Sequence, residues 1–277
     1  MLSQNQVKHI VSLKTKKFRE EHNQFIAEGH KLVLDLVHGE FDIAGIYASA
    51  DWIVSNLSLI SGKRISAFET LPREMERISA LSTPSPVLAV VNIPHTVKAA
   101  SLVKRFAGAL TLALDDIRDP GNLGTIIRIA DWFGISTILC SENCVDTFNP
   151  KVVQATMGSI ARVKMVRCNL AETLAALSET TDSDEANVPV YGTFLEGDPV
   201  YSQALTPNGI IVIGNESRGI SSNLVPFINR KIFIPSFGSS DAGKAESLNA
   251  SIATAIICSE FRRNSLREHG NSDPVAS

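Results

Sequence analysis

The sequence predicts an α/β protein in two parts, the second a parallel sheet with helices on both faces. Three observations carry this. Five short apolar runs between residues 109 and 234 are nearly continuous rather than alternating, as in strands buried on both faces. The segments between them repeat apolar residues at helical spacing. The 277 residues, 44% hydrophobic and 20% charged, exceed one ordinary domain of ~100–200 residues.

In chain order, an early helical region runs to about Asn23, followed by an apolar stretch at Phe25, Ile26 and Ala27. Leu32, Val33, Leu36 and Val37 then fall on one helical face. Residues 42–48 and 87–91 read as strands, and 71–81 as a helix with Pro72 in its first turn. The Ser/Thr/Pro stretch 82–86 is a loop, and 92–105 reads as a linker, which sets the domains at 1–98 and 99–277. In the second part, strands are expected at 109–114, 137–140, 188–191, 209–213 and 231–234. Leu123, Ile126, Ile127, Ala130 and Phe133 mark a helix closed by Gly134, and further helices are expected at 170–177 and 246–263. Residues 180–187, acidic and rich in small side chains, read as a surface loop. With its own buried strands, the second part is expected to fold without the first.

No apolar run reaches the ~18 residues of a membrane span, and the N-terminus lacks a signal-peptide pattern. The expected compartment is the cytoplasm, with Cys140, Cys144, Cys168 and Cys258 reduced. A net charge of −3 argues against coating nucleic acid by bulk charge, and no Lys or Arg lies between Arg167 and Arg218. Lys14, Lys16, Lys17 and Arg19 form a local positive cluster suited to an RNA backbone, or else a solvated helix face.

The histidines stand at 9, 22, 30, 38, 95 and 269, so residues 96–268 offer none for a catalytic triad or a zinc site. No metal is expected. Residues 238–245 satisfy the spacing of a phosphate-binding loop, but Ala245 stands where a magnesium-binding hydroxyl is needed. The chain also lacks the G-x-G-x-x-G dinucleotide fingerprint.

Three polar islands follow buried strands, where ligands collect in parallel α/β sheets. They run from Leu114 through Asp115, Asp116 and Arg118 to Gly124 with Arg128 beyond, from Ile213 to Ile220, and from Ile234 to Ser251, and within them stand Asn122-Leu123-Gly124-Thr125-Ile126-Ile127-Arg128, Gly214-Asn215-Glu216-Ser217-Arg218-Gly219 and Ser247-Leu248-Asn249. In this order they resemble the three signature motifs of the SpoU/TrmH family of RNA ribose 2'-O-methyltransferases, within the SPOUT superfamily. The resemblance covers about 109–264. The segment from Phe18 through Glu28, Gly29 and Lys31 is similar to the start of the ribosomal-protein-like α/β substrate-binding domain often fused in front. The loop 235–246 is longer than in many members.

The resemblance implies a deep trefoil knot in the C-terminal domain and S-adenosylmethionine as cofactor. It implies that the cofactor is held mainly by main-chain groups near Thr193, Leu195, Gly214, Ile234 and Leu248. It also implies a homodimer that brings Arg128 of one subunit near the cofactor of the other. The catalytic set it implies is Asn122, Arg128, Glu216, Ser247 and Asn249. Asn122, Ser247 and Asn249 suit the orientation of a ribose, Arg128 the positioning of the 2'-oxygen, and Glu216 the bracing of loops. The dimer contact is expected to include the stripe Leu248, Ile252, Ala255, Ile256 and Ser259. The expected substrate is RNA, ribosomal before transfer RNA. A catalytically silent RNA-binding protein on the same scaffold is the rival, opposed by the intact Asn122, Arg128, Glu216 and Asn249.

Overall fold

The structure, a computed structural model, describes residues 1–95, 106, 108–179, 188–237 and 247–268. The linker residues 96–105, the loop 180–187 and the 238–245 spacing match lie outside them. The chain divides into two compact units, Met1–His95 with Asp146–Arg162, and Thr96–Val145 with Val163–Ser277. Residues 146–162, expected within the second part, thus group with the first unit.

The first unit is built on a four-stranded sheet, order β1-β4-β2-β3, from β1 (Gln24–Glu28), β2 (Ile43–Ala48), β3 (Ala67–Glu69) and β4 (Val87–Asn92). β4 pairs antiparallel with β1 and β2, while β2 and β3 are parallel. Alternate side chains of a strand leave opposite faces. Accordingly Phe25, Ala27, Val87, Ala89 and Val91 enter one core with Leu32, Val33 and Leu36 of α3 (His30–His38). Ile26, Leu88 and Val90 enter another with Val7 and Ile10 of α1 (Gln4–Ser12). The α1 start is fixed by a reciprocal cap, in which the Ser3 hydroxyl accepts the Gln6 N–H and the Gln6 side chain accepts the Ser3 N–H. α2 (Lys16–His22), α4 (Ala50–Ser55), α5 (Leu57–Gly62) and α6 (Pro72–Ile78) complete this part.

The segment 146–162 adds α8 (Pro150–Ala155) to the same unit, placing Val153 and Ile160 in the α3 core. Asp146 accepts two hydrogen bonds from Arg19, at 2.9 and 2.6 Å. Gly158, at φ +99°, lies so close to Asp35 that a Cβ there would meet its carboxylate oxygen at 1.9 Å.

The second unit has six parallel strands, order β10-β8-β9-β5-β6-β7. They are β5 (Leu110–Leu114), β6 (Thr137–Cys140), β7 (Lys164–Arg167), β8 (Val190–Pro199), β9 (Gly209–Ile213) and β10 (Arg230–Phe233). Its described helices include α7 (Pro120–Trp132), α9 (Leu170–Glu179) and α10 (Ala250–Glu268). Val190 joins a core with Leu170, Leu174 and Leu177 of α9, while the adjacent Tyr191 meets Phe261 of α10 edge-on, with ring centroids 4.8 Å apart. Helices therefore cover both faces, as the sequence predicts. From β5 the chain builds outward through β6 and β7, then returns to fill the other side, which makes the carboxyl end of β5 a topological switch point.

Candidate active site

The buried Asp115 and Asp116 end β5. Asp115 Oδ2 accepts the Ser221 N–H at 2.7 Å, so the loops after β5 and β9 are joined. Asp116 sits at φ +58°, and its N–H donates to Ser141 Oγ at 2.9 Å while its carbonyl accepts from Asn215 Nδ2 at 2.9 Å. Three strand-end loops are thereby fixed to one backbone position.

After β9 the chain closes a tight loop, in which Asn215 and Gly219 exchange backbone hydrogen bonds of 3.0 and 2.9 Å. Asn215 Oδ1 accepts from the N–H groups of Ser217 and Arg218. Gly214 leaves no room for a side chain, since a Cβ would stand 2.4 Å from the Gly219 carbonyl carbon. The loop presents Glu216. Asp119 caps α7 by accepting the Asn122 N–H, with Pro120 in the first turn, and this fixes Asn122 at the helix start. Asn122 Nδ2 donates to Glu216 Oε1 at 2.5 Å, and Asn122 Oδ1 accepts from Asn249 Nδ2 at 2.8 Å. Asn249 Oδ1 accepts the N–H groups of Ser251 and Ile252 at the start of α10. Residues 94 and 127 positions apart thus form one directed row, Asn249 to Asn122 to Glu216.

Arg128 and Ser247 are exposed and stand outside this row. Around the expected cofactor residues, β8 and β10 pair at Gly192/Lys231 and resume at Asp198/Ile232, so 193–197 form a five-residue bulge. Thr193 Oγ1 donates to the Val212 carbonyl at 3.1 Å. Leu195 and Leu248 are exposed and Ile234 is half-buried.

Of the expected RNA-contacting cations, Lys16 and Lys17 are exposed, Lys16 facing Glu20 at 3.5 Å. Lys14 Nζ donates to the Ser79 carbonyl at 2.5 Å. Arg19 is a correction: it is 2% exposed and spends its guanidinium on Asp146 and the Leu13 carbonyl, so no phosphate reaches it.

Two residues that organise the site lie outside the expected site set. Asp116 belongs to the first polar island, where nothing in the sequence marks it off from Asp115. Arg167 bonds the carbonyls of Ser141, Glu142, Cys144 and Val145, holding the loop after β6. In that loop the Cys140 thiol holds Cys144 down at about 6, while its own pKa is pushed up. No group of three His, Cys, Asp or Glu able to hold a metal occurs among the described residues. No described helix is long and apolar enough to cross a membrane.

The model of the SpoU rRNA methylase family matches residues 109–259, which include the whole of this row. The chain belongs to that family. Residues 4–89 of this SpoU protein match the MRM3-like substrate binding domain. It is 29% identical to the 23S rRNA (guanosine(2553)-2'-O)-methyltransferase RlmP of Bacillus subtilis, over 92% of this chain and 95% of that one. A TrmH-family structure from Porphyromonas gingivalis superposes with a TM-score of 0.81 at 38% identity, covering 95% of this chain and 99% of that chain. The AdoMet-bound rRNA methyltransferase of Sinorhizobium meliloti superposes with a TM-score of 0.82 at 29% identity, over 96% and 97% of the two chains.

Proposed function

We propose that this SpoU-family enzyme transfers a methyl group from S-adenosylmethionine to a ribose 2'-hydroxyl of ribosomal RNA. The observation that carries the reading is the bonded row Asn249–Asn122–Glu216, which joins three distant motif segments at the switch point of the sheet. The similarity to the Bacillus subtilis 23S rRNA enzyme supports ribosomal over transfer RNA. We further propose a cytoplasmic homodimer with the trefoil knot as its framework. The exposed Leu248, Ile252 and Trp132 support the dimer, because exposed apolar side chains favour burial.

The residues present fit the cofactor. The 193–197 bulge leaves main-chain groups outside the β8–β10 pairing, and the side chains of Leu195, Ile234 and Leu248 offer apolar surface to an adenosine. When bound, the cofactor supplies a methyl group activated by a sulfonium charge. The protein's task is alignment and charge placement. Glu216 fixes Asn122, and Asn249 fixes it from the other side, so Asn122 presents a rigid edge to a ribose. Arg128 positions the nucleotide through its charge, because a guanidinium holds its proton too tightly to serve as a base.

Purified protein, methyl-labelled S-adenosylmethionine and total RNA from cells lacking the gene provide the test. Label on a ribose of large or small ribosomal RNA is expected. Label confined to transfer RNA, or none, overturns the reading. Arg128→Ala should bind the cofactor as the wild type does and lose at least ~10²-fold in turnover. Near-wild-type turnover would remove Arg128 from the mechanism. Cofactor at a hundred times its dissociation constant should add ~2.7 kcal/mol of stability, read as a rise in Tm, whereas magnesium-ATP should add none.

A further inference from the structure

We propose that Arg118 and Arg218 form a paired grip for one phosphodiester of the RNA substrate, positioned by Asp116. The proposal rests on the RNA-methylation reading and adds a substrate contact to it. Asp116 Oδ1 accepts from Arg118 Nε at 2.7 Å, and Oδ2 lies 4.0 Å from Arg218 Nη1. One carboxylate with an 11% exposed side chain thus stands between two guanidiniums whose side chains are 58% and 73% exposed. Two exposed guanidiniums share a single carboxylate as ion-pair partner. Arg118 engages through Nε, which leaves its Nη donors for a second anion. Arg218 is attracted at 4.0 Å without a hydrogen bond, so it turns to a new acceptor at little cost.

The fold uses arginine differently where the role is structural. Arg19 is buried and bonded to both a carboxylate and a carbonyl, and Arg167 spends its donors on four carbonyls. Arg118 and Arg218 are held at one side and open at the other. Their placement decides what they face. Arg118 lies on the loop that leads into the helix start carrying Asn122, Arg218 follows Glu216 on another loop, and Asn122 and Glu216 are bonded at 2.5 Å. An anion gripped by both would therefore lie beside the row that orients the ribose. In RNA the anion beside a ribose is its phosphodiester, whose oxygens match the guanidinium fork.

Fluorescence anisotropy of a labelled mixed-sequence single-stranded RNA across a potassium chloride series tests the grip. Arg118→Gln and Arg218→Gln should each weaken binding roughly tenfold at low salt and reduce the slope of log affinity against log salt by ~0.7. Affinity for S-adenosylmethionine, read by calorimetry, should stay unchanged. Asp116→Asn, which suits the positive φ, should bind RNA at least as tightly while turning over more slowly, an opposition that general damage to the fold does not produce. Unchanged RNA affinity and slope in the arginine variants of a wild type that binds and methylates RNA overturns the grip alone. Loss of cofactor affinity instead assigns the pair to the cofactor carboxylate and also overturns it. A wild type that neither binds nor methylates RNA defeats both readings.

Discussion

The directed row constrains chemistry at single residues. Asn249 Oδ1 is committed to the N–H groups that open α10, so its amide nitrogen points at Asn122. Asn122 must then answer with its carbonyl and turn its own nitrogen to Glu216. Asn122→Asp should therefore set two carboxylates against each other and cut turnover by at least ~10²-fold. Adding Glu216→Gln should restore part of that loss, because the new amide donates to the new carboxylate. A double-mutant cycle on turnover checks this, and strictly additive losses would show that the row does not act as a unit. Cys258 is pushed up to about 12 by burial. It should resist iodoacetamide at pH 8 in the folded protein and react on unfolding, as peptide mass spectrometry would record. Modification of Cys258 in the native state at the rate of the unfolded chain would contradict its burial.

Elements differ in how much of them the sequence reveals. The loop after β9 is readable because Gly214 and Gly219 bracket a polar island directly after five buried apolar residues. Its geometry makes Gly214→Ala severe, since the new Cβ would meet backbone atoms of Gly219 and Ile220 at 2.4–2.6 Å. A cost of about 2–3 kcal/mol and loss of the cofactor-induced rise in Tm are expected. A variant with an undiminished rise would free this loop from the cofactor site. β7, by contrast, escaped the sequence reading, because Lys164-Met165-Val166-Arg167 offers only two apolar residues. α4 and α5, of six residues each, and β3, of three, are also too short to show a clear period. β8 extends beyond its apolar run because its second half pairs across a bulge, which hydrophobic pattern does not encode. Arg19 resembles the lysines around it in sequence, and its ion-pair partner Asp146, 127 positions away, is not visible from the local pattern. The motif residues were legible for the opposite reason: they belong to polar segments that lead from a buried strand into the next helix, where polarity interrupts the apolar pattern.

At the scale of the whole molecule, the two-part division is not two consecutive stretches of chain. Val153 and Ile160, from the middle of the sequence, are almost fully buried in the core formed by β1, β2, β4 and α3. Phe148 packs its ring 4.7 Å from that of Phe25, and Asp146 holds the buried Arg19. The expectation that the second part folds alone after removal of residues 1–97 therefore needs revision. Such a truncation keeps all six strands of the parallel sheet but strips the partners from 146–162. Each large apolar side chain returned to water costs about 1.5–3 kcal/mol, and Asp146 loses its guanidinium. The truncated protein should retain α/β circular dichroism, bind a hydrophobic dye and melt well below the full chain. Separating the two effects requires a companion variant, V153S/I160S, in the otherwise intact truncation. These residues no longer have a core to lose there, so the polar replacements should reduce dye binding without lowering Tm. If the simple truncation neither binds dye nor loses Tm, the 146–162 segment finds sufficient burial within the second unit, and its attachment to the first is dispensable for folding.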